Sequence, residues 1–271
     1  MQGRLLPKYN GHYQAHPVGY WQEEFSIAAQ LGLDCIEFIL DYDHYEENPL
    51  MFDSGIQKIR SISEQTGVQV LSVCADYFME APIHSDNEQI AVRSTEVLVG
   101  LLNAAVKLNI KNIVIPCVDQ SSIKDERLRD RFKEVLRSIV PVAEKYEVNL
   151  SLETDLNPYQ FERLLTNLDS PMVTVNYDIG NSAALGYNPL EELDAYGDRI
   201  TDIHIKDRLF GGESVVLGEG DSKFELFFEK LKYFNYQGPF IIQAYRDDDG
   251  LDIFKRQLHW LNDVLKEVKY S

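Results

Sequence analysis

The sequence predicts an α/β fold, a single (β/α)8 TIM barrel that spans residues 1–271. Short runs rich in β-branched residues alternate eight times with longer runs of helical period, as in a parallel α/β barrel. No linker or low-complexity stretch interrupts this alternation. A doubly wound sheet is the competing fold, but no predicted strand is followed by the glycine-rich GxGxxG motif. These observations favour one barrel domain.

Eight short segments have the β-branched and aromatic content that is typical of strands. In chain order they are QGRLL (2–6), CIEFIL (35–40), VQVLSVCA (68–75), NIVIPC (112–117), VNLSLE (148–153), VTVNYD (173–178), ITDIHI (200–205) and PFIIQAY (239–245). Each is followed by a segment in which a helix is predicted, so the strands are expected to run in parallel.

Apolar residues at spacings of three and four mark the predicted helices. Examples are residues 23–31, 54–66 and 91–108. After the fourth strand, one apolar face is formed by Leu128, Phe132, Val135, Leu136 and Ile139. Pro141 follows this face, and because proline lacks a backbone N–H it is predicted to kink or break the helix.

The composition excludes several classes of protein. A net charge of −18 argues against a nucleic-acid partner, because nucleic-acid-binding proteins normally present a basic face. No apolar run approaches the ~20 residues of a membrane span and no leader peptide is recognised, so we expect no membrane partner and a cytoplasmic location. Cys35, Cys74 and Cys117 lie in apolar runs without CxxC spacing. They are interpreted as small buried side chains in a reducing compartment.

Polar side chains alternate with apolar ones along three successive strands. On the fifth strand Asn149, Ser151 and Glu153 share one face, since alternate residues of a strand point the same way. The corresponding residues of the sixth and seventh strands are Thr174, Asn176, Asp178, Asp202, His204 and Lys206. The apolar faces must meet the helices, so the polar faces are predicted to point into the barrel. Barrel interiors are normally filled by branched apolar residues, and a polar interior therefore indicates a functional site at the C-terminal rim.

Three of these residues, Glu153, Asp178 and His204, form a ligand set that divalent cations use. Gln243 on the eighth strand adds an amide where a further carboxylate would be expected. We predict one divalent ion (Mn, Mg, Co or Zn) at these strand ends. Such an ion could chelate two oxygens of a hydroxy-carbonyl substrate and stabilise the enediolate formed when a neighbouring carbon loses its proton. Glu153 could accept that proton.

The same residues carry a resemblance to a known family. The order of Glu153, the YDIGN segment (177–181), the HIKD segment (204–207) and LGEGD (217–221) resembles the xylose isomerase-like barrel superfamily. Its members include ketose 3-epimerases and hexulose-phosphate and hydroxypyruvate isomerases, with endonuclease IV as a more distant relative. The opening MQGRLLP is also similar to the first strand of many such proteins, and the resemblance covers essentially the whole chain.

The resemblance implies that the metal ligands are Glu153, Asp178, His204 and Gln243, and that residues 153 and 243 flank the substrate as catalytic residues. The family has a glutamate where this chain has Gln243. An amide oxygen can bind a hard cation, but a neutral amide cannot carry a proton. Gln243 therefore disfavours an epimerisation that uses two carboxylates, whereas a one-base isomerisation through Glu153, or a route with another acid, stays open.

Five residues are predicted to contact the substrate: Arg208, Lys206, Asn181, Glu37 and Asp76. Arg208 and Lys206 could bind a hydroxyl, carboxylate or phosphate group, or could instead form ion pairs with acidic residues. Glu37 could bind sugar hydroxyls or replace the carboxylate missing at position 243. Asn181 occupies a position that is often histidine in the family.

These observations predict a metal-dependent isomerase or epimerase of a small sugar, keto-sugar or sugar phosphate. A lyase or dehydratase that uses the same enediolate chemistry is one alternative. A sugar-binding barrel that has lost its second base is the other. A homo-oligomer is compatible with the sequence.

Overall fold

The computed structural model describes residues 1–247 and 250–270, so the last residue of the predicted domain, at position 271, lies outside the described residues. Seven parallel strands pair in chain order around the barrel. They are β1 (Cys35–Ile39), β2 (Gln69–Cys74), β3 (Asn112–Cys117), β4 (Asn149–Thr154), β5 (Val173–Asp178), β6 (Ile200–Ile205) and β9 (Phe240–Ile242), and the short strands β7 (Asp207–Arg208) and β8 (Ser214–Val215) form a separate hairpin.

Helices follow the strands and cover the outside of the barrel. They are α1 (Glu23–Gln30), α2 (Asp53–Thr66), α3 (Tyr77–Glu80), α4 (Glu88–Leu108), α5 (Glu126–Tyr146), α6 (Pro158–Leu168), α7 (Ile179–Leu185), α8 (Pro189–Tyr196), α9 (Phe224–Leu231) and α10 (Asp252–Glu267). The predicted (β/α)8 TIM barrel is confirmed as the fold.

The predicted first strand, residues 2–6, is not a regular strand. Its beginning nevertheless lies between the two edge strands of the sheet, because Glu37 N of β1 donates to Met1 O (2.8 Å) and Gln2 N donates to Ile242 O of β9 (3.3 Å). Gly3 then adopts a φ of +56°, which ends the extended conformation. The N-terminal segment therefore closes the barrel with only two residues in the strand position.

A kink or a break was predicted at Pro141, and the break is wrong, since α5 continues through this residue from Glu126 to Tyr146. Pro141 lies on the exposed side of the helix, where water can hydrogen-bond the carbonyl that the missing N–H would have paired. Ile139 and Ala143 on the opposite side are buried and hold the helix against the barrel. Packing thus outweighs the loss of one exposed hydrogen bond.

The barrel interior below the rim is polar, as the strand alternation predicts. The hydroxyl groups of Ser151, Thr174 and Thr201 hydrogen-bond one another at 2.7–3.0 Å. Leu150 and Leu152, on the other face of β4, are fully buried in the core beneath the helices. Mutual hydrogen bonding satisfies these interior hydroxyls, which would otherwise be costly to bury.

The three cysteines are free thiols. Cys74 and Cys117 are buried and Cys35 is partly buried, and burial raises the pKa of each thiol. Among residues 1–247 and 250–270, no helix has the length and apolar character needed to cross a membrane.

Candidate active site at the carboxyl ends of the strands

A cavity of about 680 Å³ opens where the carboxyl ends of the barrel strands meet. Its floor includes Cys74 of β2, Pro116 of β3 and Glu153 of β4, together with Gln243 just after β9. Its walls come from the loops that follow the strands, including residues 9–15, 41–44 and 118–120. In (β/α)8 barrels this end of the strands carries the active site.

The structure brings the four predicted metal ligands together. His204 Nδ1 lies 3.5 Å from Glu153 Oε2 and 3.9 Å from Asp178 Oδ2. Gln243 Nε2 lies 2.9 Å from the same His204 nitrogen. All four side chains are buried. Asp178 and His204 are register partners on β5 and β6, which explains why residues distant in sequence converge.

The cluster has the properties of a divalent-cation site. One potential ligand atom from each of Glu153, Asp178 and His204 lies within 4.8 Å of the other two. Asp178 Oδ1 accepts a hydrogen bond from Asn181 N and caps α7, whereas its Oδ2 is buried without a hydrogen-bond partner in the described part of the chain. Lys206 Nζ lies 3.5 Å from this oxygen, but burying a carboxylate oxygen without a hydrogen bond is costly, and a cation bound here would compensate that cost.

The electrostatics of His204 indicate the same need for positive charge. Burial lowers its pKa, but the carboxylates of Glu37, Glu153 and Asp178 outweigh this and raise the pKa to about 9. A proton or a metal ion at Nδ1 therefore stabilises the cluster. Gln243 fits a metal as well, because a half-turn of its amide group would direct Oε1 instead of Nε2 to the same point. The donors present fit a hard or borderline divalent ion.

Glu153 is held by two amide groups. Asn176 Nδ2 donates to Oε2 (3.0 Å), and Asn181 Nδ2 donates to Oε1 (2.6 Å). Burial and the neighbouring charge of Asp178 raise its pKa to about 7, while His204 and Lys206 act in the opposite direction. A carboxylate with a pKa near neutrality can both accept and return a proton, which is what a general base requires.

Arg208, Lys206 and Asn181, three of the predicted substrate contacts, line the cavity. Asn181 Oδ1 accepts hydrogen bonds from Lys206 Nζ (3.3 Å) and Arg208 Nη1 (2.9 Å). Lys206 Nζ also lies 3.5 Å from Asp178 Oδ2, and Arg208 Nε and Nη2 donate to Gly212 O. Both cations are therefore linked through Asn181 to the proposed base.

Asp76, the fourth predicted contact, also lines the cavity. Its Oδ2 accepts a hydrogen bond from Gln14 Nε2 (3.0 Å), and Cys74 Sγ donates to its Oδ1 (3.2 Å). Burial raises the pKa of Asp76, and its charge contributes to the raised pKa of Glu153. The two carboxylates thus share one cavity.

Glu37, in contrast, lies outside the cavity, and the expected contact with sugar hydroxyls does not fit its position. Its side chain is buried beneath His204, with Oε1 2.8 Å from His204 Nε2 and Oε2 accepting a hydrogen bond from Ser72 Oγ (2.7 Å). The predicted inward orientation is correct, but Glu37 lies in the middle of β1, one layer below the rim that Glu153 reaches. Glu37 contacts the imidazole of His204 and does not line the cavity.

Several residues of the site were not singled out from the sequence. Asn176 was placed on the inner face without a role, although it hydrogen-bonds Glu153. Gln14, Asp41 and Tyr42 lie in loops, whose position over the barrel has no periodic signal. His12 and His44 are loop residues that also line the cavity.

Comparison with known proteins agrees with this geometry. The sequence profile described as "Xylose isomerase-like TIM barrel" matches residues 25–264. A putative L-ribulose-5-phosphate 3-epimerase of Haemophilus influenzae is 30% identical over 242 residues, which cover 84% of each chain. This relative agrees with the predicted enzyme class, a sugar isomerase or epimerase.

Solved structures share the fold at lower sequence identity. The apo form of the Escherichia coli 3-keto-D-glucoside 4-epimerase has a TM-score of 0.73 at 21% identity, covering 89% of this chain and 94% of that one. The protein IolI with a bound zinc atom also has a TM-score of 0.73, at 18% identity, with coverage of 92% and 93%. With the profile match over most of the sequence, these findings show that the chain belongs to the xylose isomerase-like TIM barrel family.

Proposed function

We propose that the protein is a divalent-metal-dependent isomerase or epimerase of a small keto-sugar or sugar phosphate. The observation that carries this proposal is the buried cluster of Glu153, Asp178 and His204, whose potential ligand atoms lie within 4.8 Å of one another and which includes the candidate base Glu153. Of the four predicted metal ligands, Glu153 and Gln243 line the floor of a cavity of about 680 Å³, a size typical of small-ligand sites. Proton abstraction next to a carbonyl is the chemistry that this pairing supports best.

Each residue of the site can be given a role. A divalent ion held by Glu153, Asp178, His204 and Gln243 would supply Lewis-acid stabilisation of negative charge on the substrate oxygens. Glu153 removes and returns the proton, and the amide groups of Asn176 and Asn181 fix its two oxygens in place. Lys206 and Arg208 hold Asn181 from the other side.

The neutral side chain of Gln243 limits the mechanism. With Glu153 as the one base, the proton leaves and returns on the same face of the substrate, as in an aldose–ketose isomerisation. Epimerisation needs a proton donor on the opposite face. Asp76 is the candidate for that role, because it lines the same cavity and burial raises the pKa of its carboxyl group.

The proposal is tested by incubating the protein with Mn²⁺ or Mg²⁺ and a panel of keto-sugars and their phosphates in D2O. An isomerase or epimerase yields a new sugar that carries solvent deuterium at the carbon that lost its proton. A lyase or dehydratase yields a product that has lost water. Binding of these sugars without any turnover would contradict the proposed activity and support a sugar-binding protein.

Replacing Gln243 with glutamate should tighten divalent-ion binding about 10- to 10³-fold, the size of effect that an opposite charge within ~4–6 Å has on a pKa. The new carboxylate has the same stem length as the amide and would face the cation. Calorimetric titration with Mn²⁺ measures the change. Unaltered affinity would show that residue 243 does not touch the ion. If a second acid is what epimerisation lacks, solvent deuterium should also appear in a new epimer.

Glu37→Gln should weaken metal binding about 10- to 100-fold, as loss of a group that orients a metal-binding histidine typically does. Glu37 Oε1 lies 2.8 Å from His204 Nε2, so the charge of Glu37 orients the imidazole. It also favours donation of the Nδ1 lone pair to a metal ion. Glu64→Gln is the matched control, because Glu64 is exposed on α2. Normal metal affinity in Glu37→Gln would mean that the imidazole is oriented by its other neighbours.

We also propose a cytoplasmic location. Its support is the state of the three cysteines, which are free thiols in the structure. Proteins exported to oxidising compartments more often pair their cysteines in disulfides.

A further inference from the structure

The backbone amides that follow β7 and β8 are already bound to an anionic group of the chain itself. Gly218 N and Gly220 N both donate to Asp207 Oδ2 (2.9 Å each), and Ser222 N donates to Asp207 Oδ1 (3.1 Å). Asp207 is fully buried. Barrel enzymes frequently bind a substrate phosphate with amides of the late loops and a nearby helix N-terminus. In this chain the carboxylate of Asp207 already accepts the hydrogen bonds of such amides.

The cationic side chains that line the cavity are held by hydrogen bonds at the end where Glu153 lies. Among the described residues that line the cavity, Lys206 is the only lysine and Arg208 is the only arginine. Both hydrogen-bond Asn181, whose own amide donates to Glu153 Oε1. They are therefore linked to the proposed base, whereas most of the cavity walls come from the loops that follow the strands.

Those walls carry acidic groups. Besides Glu153, the cavity is lined by five carboxylates: Asp41, Asp43, Asp76, Glu80 and Asp119. Burial raises the pKa of Asp41 to about 6, and the charges of Asp76 and Asp43 contribute to this shift. A phosphate dianion would add negative charge to a region where carboxylates already repel one another. Sugar hydroxyls, in contrast, donate hydrogen bonds to carboxylates.

We infer that the substrate of this site is an uncharged keto-sugar and that the acidic walls reject the corresponding sugar phosphate. This inference rests on the proposed function. It distinguishes the chain from its curated relative, which is named a putative L-ribulose-5-phosphate 3-epimerase.

The test compares kcat/KM for L-ribulose with L-ribulose 5-phosphate, and for D-fructose with D-fructose 6-phosphate, using the metal-loaded protein. We expect the free sugar to be preferred at least tenfold in whichever pair is turned over, and the preference to shrink as added salt screens the walls. A preference for the phosphate would overturn the inference. Absence of turnover with every sugar would contradict the proposed function alone, and calorimetric affinities for the same pairs would then decide between free sugar and phosphate.

Two variants test the cause of the preference. Glu80 and Asp119 are exposed wall residues, so Glu80→Gln and Asp119→Asn should each raise the ratio of kcat/KM for the phosphate to kcat/KM for the free sugar several-fold. Asparagine is also well tolerated at the positive φ of Asp119. Glu64→Gln, which removes the same charge outside the cavity, should change neither value. An unaltered ratio in both wall variants, together with selective loss of phosphate turnover in Arg208→Gln, would refute the inference.

Discussion

Glu153→Gln is expected to reduce turnover by more than about 10²-fold, within the range of 10²–10⁴ that general acid–base groups contribute. The substitution keeps the size of the side chain but removes the proton acceptor. It also places an amide NH2 against the amide donors of Asn176 and Asn181, which now donate to the two carboxylate oxygens. Steady-state rates and exchange of solvent deuterium into the sugar both measure the loss.

The fold of this variant should persist, because β4 retains its backbone pairing with β3 and β5. Thermal unfolding of the variant and of the exposed-site control Glu64→Gln checks this point. A near-normal rate in Glu153→Gln would place the base elsewhere. Asp76 would then be the first residue to examine, since it lines the same cavity, whereas Glu37 does not.

Removal of divalent ions should reduce activity by at least about 10²-fold, and the addition of Mn²⁺, Mg²⁺, Co²⁺ or Zn²⁺ should restore it. The expectation follows from the buried carboxylate oxygen of Asp178 and from the raised pKa of His204, both of which indicate that a cation stabilises the cluster. Activity before and after chelation, with the residual metal content measured, gives the result. Full activity in verified metal-free protein would exclude a metal-dependent mechanism.

Asp178→Asn separates the metal-binding role of this residue from its structural one. Asparagine caps a helix about as well as aspartate, so α7 should remain capped through the hydrogen bond from Asn181 N. The negative charge directed at the cluster is lost. We expect weaker metal binding by calorimetry with little change in the thermal unfolding temperature, and a large loss of stability with unchanged metal affinity would reverse this assignment.

The core of the site could be predicted because it follows from regular geometry. Side chains alternate along a strand, and the ends of neighbouring parallel strands meet, so Glu153, Asp178 and His204 had to converge once the barrel was recognised. The fold itself was predictable because strand-like and helical segments alternate regularly along the chain. Asp178 and His204 are indeed register partners.

The errors concern features that depend on depth and packing. Glu37 has the predicted orientation but lies below the rim, and distance from the strand end is set by the barrel as a whole. Pro141 is tolerated because its side of α5 faces solvent, which the local sequence does not specify. Gly3 ends the first strand early through its positive φ. The cavity walls come from loops such as residues 41–44, which carry no periodic pattern.

The burial of Cys117 provides an internal reporter of barrel opening. Its thiol lies at the end of β3 and is 1% exposed, and burial raises its pKa, so in the closed barrel it is both inaccessible and un-ionised. Modification by a thiol reagent therefore requires a local or global opening of β3. The labelling rate of Cys117 under native conditions thus measures the free energy of that opening. Because ligands that bind the closed barrel suppress opening, slower labelling in the presence of a metal ion or sugar would reveal binding without any assay of turnover.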